Sequence, residues 1–178
     1  MNILFLAPRF PLPTIKGDKL RAWHMVRALS TVHRVTLLTY INSAEERQLL
    51  PDLEQVCHRV VTLPFKSSSR VVGATRCLTS REPVQVALYT SRKMREHMET
   101  LLADADVVHM NTLRMAGNLP SDSGKPLAVD FIDAISATYA QKRAPAPLRW
   151  LYKAEARRLK NLENELAANS ALAMAVSE

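Results

Sequence analysis

The sequence is poor in glycine and cysteine, and it contains no long apolar run. Four glycines in 178 residues exclude a glycine-rich low-complexity segment. The two cysteines, Cys57 and Cys77, are too far apart for a CxxC metal or redox motif, so we expect buried free thiols in a reducing compartment. No apolar run approaches the ~18 residues of a membrane-spanning helix. The apolar run at residues 3–7 is also too short for a signal-peptide core. These absences favour a cytoplasmic protein, and they leave open a contact with the inner face of the cytoplasmic membrane.

Aromatic residues are scarce as well, whereas positive charge is in excess. The formal net charge is +7, and aromatic residues make up 6% of the chain. The charge favours a phosphorylated ligand, nucleic acid or an anionic membrane surface, although a solvated basic surface explains it equally well. Proteins that bind single-stranded nucleic acid stack bases on aromatic side chains. We therefore predict no nucleic-acid partner.

Apolar runs that alternate with helical patterns predict a parallel α/β sheet. Strands are predicted at residues 3–7, 34–40, 59–63, 107–110, 127–132 and 171–176. Helices are predicted at residues 18–30, 43–53, 71–78, 82–102 and 147–168, with a polar loop at residues 66–70. This alternation is typical of a Rossmann-like, doubly wound, mostly parallel sheet with helices on both faces. No repeat or linker divides the chain, so residues 1–178 form one predicted domain. The last run is interpreted as a core strand with no closing helix, which suggests that a partner domain follows.

The loop after the first strand is the first candidate site. Its prolines prevent regular structure as far as Gly17-Asp18, where a helix is predicted to begin. Gly17 allows the backbone to approach a ligand, and the helix N-terminus offers N–H groups to an anion. A plain loop glycine with Asp18 as the helix cap explains the same residues equally well. Neither GxGxxG after the first strand nor GxxxxGK[ST] occurs, so NAD and ATP sites of those types are not predicted.

The fourth predicted strand ends in polar residues. His109 and Asn111 lie on one face of that strand, because side chains alternate along it. A histidine and an amide at the carboxyl end of a strand favour a functional role over packing. Arg114 follows three residues later, where it could reach a phosphate or a carboxylate.

A second polar group, Asp130, Asp133 and Ser136, follows the fifth strand. These side chains could hydrogen-bond sugar hydroxyls. Helix capping by Asp133 or Ser136 is the equal alternative. Their spacing suits no metal site, and none is predicted.

The long helix at residues 147–168 carries leucines on one stripe, Leu148, Leu151, Leu159, Leu162 and Leu166. Glu155 interrupts this stripe and Glu163 lies at its edge, so each needs a partner or a cleft, and a structural role is favoured. Trp150 and Tyr152 lie among basic residues of the same helix. That basic face could rest on anionic lipid, but the pattern alone favours a solvated face.

Several segments resemble GT-B glycosyltransferases of the large retaining family 4. The N-terminal signature is similar in PLPTIKGDKLRAWHMVRALSTVHRVTLLTY, the "D-V-V-H" strand in ADVVHMNTLRM, and the "V-S-E" ending of the N-terminal domain in AMAVSE. VDFIDAISATY and RWLYKAEARRLKNLENELA resemble a subgroup linked to exopolysaccharide and exosortase-associated loci. The resemblance covers almost the whole chain and is least specific over residues 43–100.

The resemblance implies the acceptor-side half of an enzyme that transfers a hexosyl unit from a nucleotide-diphosphate sugar. The acceptor would be a glycan or a lipid-linked molecule in envelope or exopolysaccharide biosynthesis. Gly17, Asp18 and Arg21 would contact the donor diphosphate, and Arg114, Asp133 and Ser136 would bind substrate. Asn111, with His109, occupies the catalytic position; the family usually has histidine where Asn111 stands. No cofactor besides the donor is implied. The nucleotide pocket belongs to a C-terminal domain, so this chain alone is expected to be inactive.

Two other function classes remain open at this stage. One is a non-catalytic basic α/β module that binds a polyanion. The other is half of a different two-domain nucleotide-sugar enzyme, such as an epimerase, because one fold serves many functions.

Overall fold

The computed structural model describes residues 1–65, 82–120, 122–142 and 145–175. Within them, one six-stranded sheet has the order β3-β2-β1-β4-β5-β6, and every neighbouring pair is parallel. The strands are β1 (Asn2–Ala7), β2 (Arg34–Ile41), β3 (Arg59–Pro64), β4 (Val107–Asn111), β5 (Leu127–Phe131) and β6 (Leu172–Ala175). This is the strand order of a doubly wound Rossmann-like sheet. The predicted fold class is therefore confirmed.

Seven α-helices and one 3₁₀ helix connect the described strands. The α-helices are α1 (Gly17–Ser30), α2 (Ala44–Gln48), α3 (Leu50–Glu54), α4 (Val84–Ala87), α5 (Arg92–Leu102), α6 (Ile135–Gln141) and α7 (Ala146–Asn169). The 3₁₀ helix, Leu113–Asn118, follows β4 directly. The loop and helix expected at residues 66–78 lie outside the described residues.

The core has two layers, one on each face of the sheet. Leu4 and Leu6 of β1 join a cluster that includes Met94 and Met98 of α5. Ile3 and Phe5 face the other way and pack in a cluster with Val26 of α1. Alternating side chains of β1 are therefore buried on both sides, which explains why its sequence is continuously apolar.

Two predicted helices are each broken into two. Residues 43–53 form α2 and α3, because Pro51 lacks the N–H that would continue the hydrogen bonds of α2 and instead lies in the first turn of α3, where no such donor is needed. Ser43 caps α2 as one would expect from its position, accepting a hydrogen bond from the Glu46 N–H at 3.1 Å. The predicted helix over 82–102 breaks between α4 and α5, where extended Ser91 caps α5 by accepting from the Met94 N–H.

The last strand and the long helix differ from the sequence interpretation. β6 lies at the edge of the sheet and is largely exposed, so the expectation of a core strand is wrong. In α7, Leu159 is buried, whereas Leu148 and Leu151 are 46% and 45% exposed. The predicted leucine stripe is thus covered only along its C-terminal part.

Candidate ligand-binding cleft

A cleft of about 540 Å³ opens at the carboxyl edge of the sheet. The chain proceeds from β1 to β2 on one side and later crosses to β4 on the other. Crevices at such switch points bind ligands in α/β proteins. The cleft is lined by residues that follow β1, β4 and β5: Arg9, Gly17, Asp18, Arg21, Arg114, Ile132 and Asp133. Five of the eight predicted site residues therefore meet in one place.

Arg9 is the charged cleft residue that the sequence analysis did not predict. Its Nη1 donates to Asp18 Oδ2 at 3.0 Å, so the two side chains form one wall. The signal was present in the sequence, because Arg9 follows β1 by two residues. Residues directly after a parallel strand lie at the crevice edge. An arginine at this position is therefore as good a candidate for ligand binding as Gly17.

Asp18 does not cap α1, which corrects one of the two readings of this residue. The helix begins at Gly17, and the extended N-cap residue Lys16 makes no side-chain capping bond. The Asp18 carboxylate lies in the first turn and accepts from Arg9 instead. A Cβ atom built on Gly17 would meet no atom of the described residues within 4 Å. The first turn of α1 therefore faces open space in the cleft.

Arg21 is fixed by Asp130. Its Nε and Nη2 donate to the two carboxylate oxygens at 2.7 and 2.9 Å, and these bonds raise the pKa of Arg21. Asp130 is fully buried, while a third of the Arg21 side chain remains exposed. The pair joins α1 to β5 and holds a guanidinium in the cleft wall. The interpretation of Asp130 as a sugar contact is wrong, because its oxygens are buried against Arg21.

His109 and Asn111 lie beneath α1, outside the lining of the cleft. His109 stacks on Phe5, with ring centroids 4.4 Å apart. Burial lowers the pKa of His109 to about 4, while the charge of Asp130 raises this pKa and the charge of Arg21 lowers it. Asn111 is paired in register with Asp130 and is also buried. Among the described residues, His109 Nε2 and Asn111 Nδ2 have no hydrogen-bond partner. Their catalytic role stays a prediction.

Arg114 and Asp133 lie in the cleft, whereas Ser136 does not. Arg114 Nε donates to Gln85 Oε1 at 3.1 Å, and the exposed Asp133 lines the same wall. Ser136 is buried, and its N–H and hydroxyl both donate to Glu163, at 3.1 and 2.6 Å. Ser136 therefore lies outside the lining of the cleft, and its substrate-binding role stays a prediction. Glu163, from α7, takes the capping role that the sequence offered to Asp133 or Ser136.

Glu155 and Cys57 behave as structural groups. Glu155 is buried and accepts a hydrogen bond from the Gln85 N–H at 3.3 Å, and burial raises its pKa. The expected partner for this carboxylate is thus confirmed. Cys57 is a buried free thiol whose pKa burial raises to about 11, and Cys77 lies outside the described residues. No group of three His, Cys, Asp or Glu side chains suited to a metal occurs in the described part of the chain.

Comparisons with known proteins give a fold likeness alone. No model of a protein family matches this chain, and a search of curated proteins finds no match. Among solved structures, the chain is similar to Arabidopsis thaliana UGT89C1 complexed with UDP, at 14% identity and a TM-score of 0.49. The match covers 99% of this chain and 42% of that chain. A likeness of this size carries no functional assignment. None of the described helices combines the length and apolarity needed to cross a bilayer.

Proposed function

We propose that this chain is the N-terminal, acceptor-side domain of a nucleotide-sugar-dependent GT-B glycosyltransferase. The observation that supports it most directly is the switch-point cleft, where three arginines flank the uncapped N-terminus of α1. This is the chemistry that a diphosphate requires. Asp18 and Asp133 add carboxylates to the same lining, which suits a ligand that carries hydroxyls beside its phosphates. A simple polyanion site would gain nothing from them.

The roles follow from charge. Amides of the first turn of α1, with Arg21 and Arg114, stabilise the negative charge that develops on the leaving diphosphate. Asp133 accepts hydrogen bonds from sugar hydroxyls. The reaction is retaining transfer of a hexosyl unit to a glycan or lipid-linked acceptor of envelope or exopolysaccharide biosynthesis. A C-terminal domain supplies the nucleotide pocket, so this chain alone is inactive.

The test is turnover of UDP- and GDP-sugars by the protein together with any residues that follow Glu178 in its gene. We expect Arg114→Gln to lower kcat by about 10²-fold, because one charged donor to the transition state is lost. Arg92→Gln, at an exposed site on α5, is the matched control and should leave kcat unchanged. Gly17→Trp should abolish turnover, because the new side chain fills the cleft.

Two results would contradict the proposal. One is the absence of transfer and hydrolysis with every sugar nucleotide in the panel. The other is a Gly17→Trp variant with normal turnover. Product analysis separates the neighbouring class of enzyme, since an epimerase would convert a sugar nucleotide without any acceptor.

A further inference from the structure

The beginning of α7 exposes three large apolar side chains. Leu148, Trp150 and Leu151 are 46%, 68% and 45% exposed, within four consecutive residues. Successive residues of a helix are turned by about 100°, so these three side chains span about 160° of the circumference of the helix tip. Burying each of them in an apolar environment would be favourable.

Basic residues follow this apolar tip along one side of α7. Arg149, Lys153 and Arg157 are exposed and recur every four residues, so they lie on one stripe. The carboxylate nearest in sequence, Glu155, is buried and accepts from the Gln85 N–H. No acidic partner within salt-bridge distance is found for these three cations in the described residues.

A pocket of about 370 Å³ lies between α6 and the first turns of α7. Lys142, Arg149 and Lys153 line it with the rings of Tyr139 and Tyr152, and none of the described residues that line it carries a carboxylate. Lys142 Nζ lies 5.1 Å from the Tyr152 ring centroid and 5.7 Å from that of Tyr139. These cation–π contacts hold the ammonium group at the pocket. Three cations around one opening have the chemistry of a phosphate site.

We infer that this end of α7 docks on an anionic phospholipid surface, with a headgroup phosphate in the pocket and the apolar tip in the interface. Stable attachment to a bilayer surface takes both apolar insertion and charge attraction, and here the two adjoin. Nucleic acid would use the cations but leave Leu148 and Leu151 in water. Tryptophan suits the boundary between water and lipid. The inference does not depend on the proposed glycosyltransferase activity.

Vesicle flotation of this chain tests the inference. We expect binding to vesicles of phosphatidylcholine with phosphatidylglycerol, none to phosphatidylcholine alone, and weaker binding as salt is added. Arg149→Gln and Lys153→Gln should each weaken binding about fivefold, and Trp150→Ser about tenfold. Arg92→Gln and Val32→Ser make the same kinds of change at exposed positions elsewhere and should bind as the unaltered chain does.

Tryptophan fluorescence provides a readout that does not depend on affinity. Anionic vesicles should shift the emission to the blue, and Trp150→Phe should remove that shift while the chain still floats. Trp23 remains as the internal reference.

Three outcomes would overturn the inference. The first is no flotation with anionic vesicles, or flotation that none of the α7 substitutions weakens. The second is tighter binding to an RNA oligonucleotide than to the vesicles at equal salt, unaffected by Trp150→Ser. The third is displacement from vesicles by soluble glycerol phosphate at concentrations matching the accessible lipid, which would identify a site for free phosphate.

Discussion

The buried imidazole of His109 makes the stability of this protein depend on pH in a definite direction. Its ring is stacked on Phe5, and burial lowers its pKa to about 4, against about 6.5 in an unfolded chain. Between these two pH values His109 is protonated in the unfolded chain and neutral in the folded chain. Stability contributed by the neutral ring is therefore complete above pH 6.5 and is lost as the pH falls towards 4.

The size of the effect follows from the two pKa values. Their difference corresponds to about 3 kcal/mol of unfolding free energy once the pH is well below 4. Between pH 7 and pH 5, linkage gives a loss of about 2 kcal/mol from this one group. The charge of Asp130 raises the pKa of His109 and the charge of Arg21 lowers it. Burial, which removes water from the ring, is therefore the main cause of the low pKa.

Urea unfolding at pH 7 and pH 5 measures this loss. His109→Leu removes the titrating group, so its unfolding free energy should fall by about 2 kcal/mol less between the two pH values than that of the unaltered chain. His24→Gln is the matched control, a histidine replaced at an exposed position of α1. Equal losses in the unaltered chain and in His109→Leu would refute the reasoning. The same result would restore His109 as a residue that can carry a proton near neutral pH.

Three further predictions concern the cleft and the core. Gly17→Ala should raise the unfolding free energy in thermal unfolding by about 0.4–1 kcal/mol, because the added Cβ meets no atom of the described residues. The same substitution should lower sugar-nucleotide turnover. A loss of stability would contradict the described backbone. Arg21→Met should lower the unfolding free energy in urea by about 3 kcal/mol, and Asp130→Asn should lower it by only about 1 kcal/mol. The difference arises because only Arg21→Met leaves a fully buried carboxylate without its partner. A larger loss for Asp130→Asn would be inconsistent with this burial. In a Cys77→Ser background, Cys57 should resist iodoacetamide at pH 8 until urea is added, because burial raises its thiol pKa to about 11; rapid labelling of the folded chain would disprove it.

Much of the sheet could be predicted because its inner strands are buried on both faces. β1 and β2 read as apolar runs for that reason. The same rule failed for β6, since an apolar segment at the edge of the sheet looks like one at its centre. The helix breaks near Pro51 and Ser91 also have local signals in the sequence. Proline lacks an N–H donor, and the side chain of serine can cap a helix. The helical pattern on both sides of each residue nevertheless predicts one longer helix.

The candidate site was predictable in its location and less so in its contacts. The carboxyl ends of parallel strands share one edge, so Gly17, Arg114 and Asp133 had to come together. Which helix covers which face of a strand is decided by the whole chain, and α1 covers the face that carries His109. The partner of Arg21 lies 109 residues away. Local sequence contains no information on such a pair.

The placement of carboxylates gives the two proposed surfaces their different chemistry. Asp18 and Asp133 remain in the lining of the cleft among its arginines, so the cleft offers acceptors as well as cations and suits a ligand with both hydroxyls and phosphates. In α7, Glu155 and Glu163 turn inward to the backbone N–H groups of Gln85 and Ser136. Among the described residues, the basic side chains at the beginning of α7 consequently have no acidic partner within salt-bridge distance, and they lie beside an apolar tip. That combination favours a surface of phosphates over a single sugar-bearing molecule.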